Sequence, residues 1–220
     1  MSVTRAEARR LHDEENADFS AYLHTLEPTE WDEPSLCEGW RVRDVVGHIL
    51  YGNEMRLSTL PLRLARYRLS SDRSGRVYSI RRAEGRDPSE LVAAFDARDP
   101  WGGTGRIFPP RLNLVDRLVH HQDIRRALGH RRAIPERRVV AALDGTPGLG
   151  FVFGARRRAK GLALRPTDVE WQWGSGPEVT GSGEAILMAL LGRQAALPEL
   201  GGEGAATFAD RVRSTQPVTA

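Results

Sequence analysis

Apolar positions in the first two thirds of the chain recur every three to four residues, the period of helices buried along one face. Between Thr4 and Leu26 they fall at Ala8, Leu11, Phe19, Tyr22, Leu23 and Leu26, which predicts one long helix. The stretch from Glu27 to Pro34, with its two prolines, interrupts it. Val42, Val45, Val46, Ile49 and Leu50 predict a second helix over Arg41–Leu57, with Asp44 in its first turn, where an acid complements the helix dipole. Residues 60–98 read as two or three shorter helices, one opening at Pro88 or Ser89, since proline is tolerated in a first turn. A Gly/Pro-rich loop, Asp99–Pro110, leads into another long helix over Leu112–Leu128, stopped by Gly129.

The pattern changes after Ile134-Pro135. Glu136–Leu143 predicts a helix and is followed by a Gly-rich stretch. From Leu162 to Trp173, Val169, Trp171 and Trp173 alternate with Glu170 and Gln172, which predicts a strand. Gly174-Ser-Gly-Pro177 reads as a turn and Glu178–Gly181 as a second strand. Ser182 is placed to cap a helix through Leu191, closed by Gly192. The expected fold class is therefore mainly α with a small α+β domain: a helical bundle over 1–132 followed by an α+β unit over 133–220.

Composition narrows this picture little. The 220 residues are enough for a substantial core, and the longest apolar run, Ala185–Leu191, is too short to span a bilayer. The N-terminus opens an acidic amphipathic stretch rather than a signal peptide, so the cytoplasm is the expected location. Lone Cys37 excludes an internal disulfide and reads as a packed small residue, with no histidine close in sequence. The formal charge is +3, yet Lys160 is the only lysine among 32 basic residues. That skew points to a GC-rich genome more than to phosphate contacts. The clusters Arg131-Arg132 with Arg137-Arg138, and Arg156 to Arg158, read as solvated faces, so nucleic acid and membrane are not expected partners.

The informative chemistry lies in Asp116-Arg-Leu-Val-His120-His121-Gln-Asp123. Helical positions i and i+4 share a face, so Asp116 and His120 can reach one divalent metal. His48, on the second helix, offers another nitrogen. Two imidazoles and a carboxylate leave a coordination position open, as in a catalytic site. Asp123 falls in the same sector and can orient a ligand imidazole. His121 lies about 100° round the helix and is expected to face away. The alternative is a solvated ion pair with a core histidine.

Three segments carry a resemblance. The stretch Trp31 to His48, Asp116 to Gly129, and Thr167 to Gly181 with Gly192-Arg193 resemble the mycothiol-dependent maleylpyruvate isomerase family of actinobacteria, within the metal-binding DinB-like four-helix-bundle superfamily. The resemblance implies a DinB-like bundle with His48, Asp116 and His120 as metal ligands; the isomerase has glutamate where this chain has Asp116. It implies Arg193 as a residue that pairs with a carboxylate of substrate or thiol cofactor, the alternative being a salt bridge at a helix end. The implied activity is isomerase or thiol S-transferase chemistry. A divalent metal, zinc by ligand preference, activates mycothiol for attack on an electrophilic small molecule, with Arg193 and Asp123 in catalysis. A metal-dependent hydrolase on the same ligands and a non-catalytic metal- or ligand-binding module are the rival expectations. A monomer or homodimer suits each.

Overall fold

The structure, a computed structural model, describes residues 3–59, 71–148 and 154–214. It is mainly helical with one small sheet. Helix α1 (Arg5–Leu23) starts where the Thr4 hydroxyl accepts the Glu7 N–H. A 3-10 turn at Pro28–Asp32 follows it. Helices α2 (Val42–Glu54), α3 (Ser71–Ala83), α4 (Pro88–Ala97) and α5 (Pro110–Ala127) come next. Two of these are the shorter helices expected within 60–98; what was expected at 60–70 lies outside the described residues.

Residues Arg9–Arg131 form one compact unit. Its core joins Phe19 and Leu23 of α1, Val45, Val46, Ile49 and Leu50 of α2, Leu91 and Phe95 of α4, and Ile124 of α5 around Trp31 and Trp40. Each buried tryptophan removes about 150–250 Å² from water, which anchors the non-helical stretch between α1 and α2. That stretch is a tight loop: Gly39 takes a left-handed φ of 71°, and the Trp40 N–H returns to the Cys37 carbonyl at 2.9 Å. Asp44 accepts the Arg41 N–H at 2.9 Å, capping α2.

Helix α2 packs along α3. The closest approach is at Gly47, where an added Cβ would meet the Ser79 carbonyl at 2.4 Å. Any side chain there would drive the helices apart, and with them the neighbouring residue His48.

The other unit joins residues 3–8 with the described residues of 132–214. Helix α6 runs from Glu136 to Gly148, longer than the expected Glu136–Leu143, and a short α7 covers Ala155–Ala159. Strand β1 is only Ala163–Pro166 and pairs in parallel with β2, Glu178–Gly181. This corrects the expected strand over Leu162–Trp173. Beyond Pro166 the Thr167 N–H bonds to the Gly181 carbonyl, and the chain folds back so that Trp173 bridges Leu164 in the antiparallel sense. The Val169/Trp171/Trp173 alternation therefore belongs to a bent excursion, and Trp173 is exposed. Helix α8 (Gly183–Leu190) is capped by Ser182, whose hydroxyl accepts the Ala185 N–H at 3.1 Å, and helix α9 covers Ala205–Ser214. Among the described residues no helix is long and apolar enough to cross a membrane.

Candidate metal centre

Helices α2 and α5 bring three predicted ligands together. Donor atoms of His48, Asp116 and His120 all lie within 4.8 Å of one another. His120 Nε2 stands 3.6 Å from Asp116 Oδ1, one helical turn away on α5. The His48 and His120 rings meet edge to face, 4.9 Å between centroids, and Trp40 flanks His48 at 5.1 Å. His120 is buried while His48 and Asp116 are half-buried, so the cluster has a solvent-facing side.

Hydrogen bonds fix the ring protons. The Ser79 hydroxyl donates to the Gly75 carbonyl at 2.7 Å, so toward His48 Nδ1, at 3.3 Å, it accepts. His48 then carries its proton on Nδ1, and Nε2 is the basic nitrogen. His120 repeats the arrangement with a stronger acceptor: its Nδ1 donates to Asp123 Oδ2 at 3.1 Å. Ligand histidines in metal sites are held in this way, with the far nitrogen bonded to a carboxylate, hydroxyl or carbonyl. The donor set thus fits a divalent metal on the Nε2 side of both rings.

Charge favours an ionised carboxylate at Asp116. Burial pushes its carboxyl up, but the nearby His120, His48, Arg117 and His12 charges outweigh this and hold it below the usual carboxylate range.

Asp123 and Cys37 sit behind the cluster. Asp123 is fully buried and lies at His120 Nδ1, on the opposite side of the ring from Asp116. Cys37 Sγ donates to the same Asp123 oxygen at 3.0 Å and lies 3.8 Å from His120 Nδ1. Cys37 has no histidine close in sequence because this neighbour lies 83 positions away. A backbone bond from the Leu36 N–H to the Asp123 carbonyl, 3.0 Å, pins the loop to α5. Ser79 was not anticipated. The only signal for it is a serine at the middle of a helix with an otherwise unremarkable polar pattern.

His121 does face away. Its Nε2 accepts from Arg125 Nε at 2.8 Å, its Nδ1 meets buried Glu15 at 2.8 Å, and its ring stacks on Phe19 at 4.3 Å. Arg193, in the C-terminal unit, is buried and donates to the Leu191 carbonyl at 2.9 Å, while buried Arg158 donates to the Leu190 carbonyl at 2.8 Å. Both guanidinium groups serve the end of α8.

Residues 12–101 match the mycothiol maleylpyruvate isomerase N-terminal domain. The match includes His48 and ends before Asp116 and His120. Among solved structures, the crystal structure of the mycothiol-dependent maleylpyruvate isomerase is similar at a TM-score of 0.60 and 16% identity, over 92% of this chain and 94% of that one. A histidine-to-alanine mutant of the enzyme gives 0.59 and 15% with the same coverage. At this identity the likeness is one of fold. No curated protein matches the chain significantly.

Proposed function

We propose that the protein is a metal-dependent, mycothiol-using enzyme, a maleylpyruvate-type isomerase or thiol S-transferase acting on a small electrophile. The observation that carries this reading is the convergence of His48, Asp116 and His120, with both rings turned so that Nε2 is the basic nitrogen. These three residues would hold a divalent metal, zinc by ligand preference. Bound there, the metal would lower the pKa of an arriving thiol so that thiolate predominates at neutral pH. Asp123 and Ser79 keep the two rings in the ligating tautomer. Asp116 supplies the anionic ligand. Arg193 is assigned to a carboxylate of thiol or substrate, and Asp123 acts through His120. The metal chemistry is assigned to residues 1–132, with 133–220 as the α+β unit.

A hydrolase on the same ligands needs a base for the attacking water. Asp123 is buried and already accepts from His120 and Cys37, and His121 is committed to Glu15 and Arg125. Neither is placed to take a proton from water, which favours the thiol reading.

The test is metal content by mass spectrometry on tag-free protein, wild type beside His120→Ala, followed by mycothiol with a panel of electrophiles that includes maleylpyruvate. The reading expects about one equivalent of transition metal, its loss in the variant, and product only with both metal and thiol. Product from metal-free protein defeats it, and product without thiol makes the protein a hydrolase.

A further inference from the structure

A second set of ligating atoms lies behind His120. Cys37 Sγ, His120 Nδ1 and Asp123 Oδ2 form a triangle with edges of 3.8 Å, 3.1 Å and 3.0 Å, and all three residues are buried. Around a tetrahedral cation with bonds of about 2.3 Å to sulfur and about 2.0–2.2 Å to nitrogen and oxygen, ligand atoms sit roughly 3.4–3.6 Å apart. Each edge of the triangle lies within roughly 0.6 Å of that spacing. The thiol is kept there by backbone as well as by its own hydrogen bond, because the Leu36 N–H is tied to the Asp123 carbonyl.

We propose that Cys37, His120 Nδ1 and Asp123 form a closed site for a thiophilic cation, which competes with the open site for the His120 ring. Thiolate with imidazole selects zinc or copper(I) over magnesium or calcium. On loading, the Cys37 proton leaves to solvent and the His120 ring proton moves from Nδ1 to Nε2, facing Asp116 Oδ1 at 3.6 Å. A ring protonated on Nε2 cannot ligate through Nε2, so the two sites fill alternately. The closed site is buried on every ligand, which suits holding or sensing a metal rather than turning over substrate. Only the competition rests on the reading of His120 as an open-site ligand; the Cys37 site stands without it.

Cobalt(II) reports both sites, because only a thiolate ligand adds a sulfur-to-cobalt charge-transfer band in the near ultraviolet. Metal-free, reduced protein is titrated with cobalt(II) as wild type, His48→Ala and Cys37→Ser, with folding checked by circular dichroism. The band is expected in wild type, stronger in His48→Ala, and lost in Cys37→Ser, which still shows the weak visible absorption of the open site. Cobalt uptake without the band in both wild type and His48→Ala overturns the proposal even if Cys37→Ser fails to fold, and leaves Cys37 a hydrogen-bond donor to Asp123. A band of equal strength in wild type and His48→Ala, with no uptake in Cys37→Ser, upholds the closed site and removes the open one.

Discussion

His120 and His121 are neighbours on one helix, both buried, and each meets a buried carboxylate through Nδ1. Their second nitrogens set them apart. His120 Nε2 faces the half-exposed anion Asp116 and the edge of His48, whereas His121 Nε2 accepts a hydrogen bond from Arg125 while its ring stacks on Phe19. One face of α5 therefore presents a basic nitrogen among acceptors, the arrangement that the proposed cation site requires. The other closes its histidine inside a satisfied network, which is architecture. Residue type and burial do not distinguish the two roles; the partner of the second nitrogen does.

Replacing each histidine by alanine gives the sharpest test of this contrast. His120→Ala removes a proposed ligand and is expected to weaken open-site metal affinity by at least about 10–100-fold, the loss that removing even an outer partner brings; it also strips Asp123 of its ring partner, so some loss of stability is expected as well. His121→Ala leaves Glu15 without its ring partner and opens a gap against Phe19, so a stability loss of about 3–5 kcal/mol is expected, with metal stoichiometry intact. Urea unfolding beside metal analysis checks both. A folded His121→Ala that has lost its metal would erase the distinction between the faces.

A third histidine extends the contrast to pH. His12 on α1 is fully buried, and its pKa falls from 6.5 to about 3; burial is the main cause, the Arg117, Arg98 and Arg9 charges add to it, and Asp116 opposes it. In the unfolded chain His12 takes up a proton near pH 6.5, while the folded protein refuses it until about pH 3. Its contribution is therefore complete above pH 6.5 and is lost progressively as the pH falls toward 3, on the order of a few kcal/mol in all. Urea midpoints across that window should decline in the wild type and flatten in His12→Gln. An equal decline in both would assign the acid sensitivity to other groups.

How far these roles were legible in the sequence follows from the range of the interactions. The i, i+4 pair Asp116/His120, Asp123 one turn further, and the turn of His121 away from His120 are consequences of helical geometry, and the structure places them so. His48 needed the resemblance as well, since only the packing of α2 on α3 at Gly47 sets its position. Cys37 was read as a packed small residue because its histidine is remote in the chain, and Ser79 was not singled out because nothing local marks it. The Leu162–Trp173 strand failed for the converse reason: a local alternation was overruled by the bonding of Thr167 to Gly181 and by Pro166, which has no N–H to extend a ladder.

Asp123 is where the faces of α5 diverge in chemistry rather than in burial. Asp123→Asn keeps the shape but weakens the acceptor for His120 Nδ1–H, and the freed ring can turn its proton toward Asp116. Loss of such an outer partner lowers metal affinity by about 10–100-fold. Competition with a chromogenic chelator measures it. An unchanged affinity would mean that packing alone holds His120.

Ser79→Ala carries the smallest expected effect and the finest discrimination. Ser79 is a neutral acceptor, its proton already engaged by Gly75, so it orients His48 without adding charge to the ring. A neutral hydrogen bond contributes about 0.5–1.5 kcal/mol, so metal affinity should fall by about 2–12-fold, less than for Asp123→Asn. The loss should be recovered in part by Ser79→Thr, whose hydroxyl can take the same place, and fold stability should change little because the Gly75 carbonyl keeps its helical surroundings. Equal losses in Ser79→Ala and Asp123→Asn would mean that the two ligand histidines are held alike, and that the charge on Asp123 serves Cys37 rather than His120.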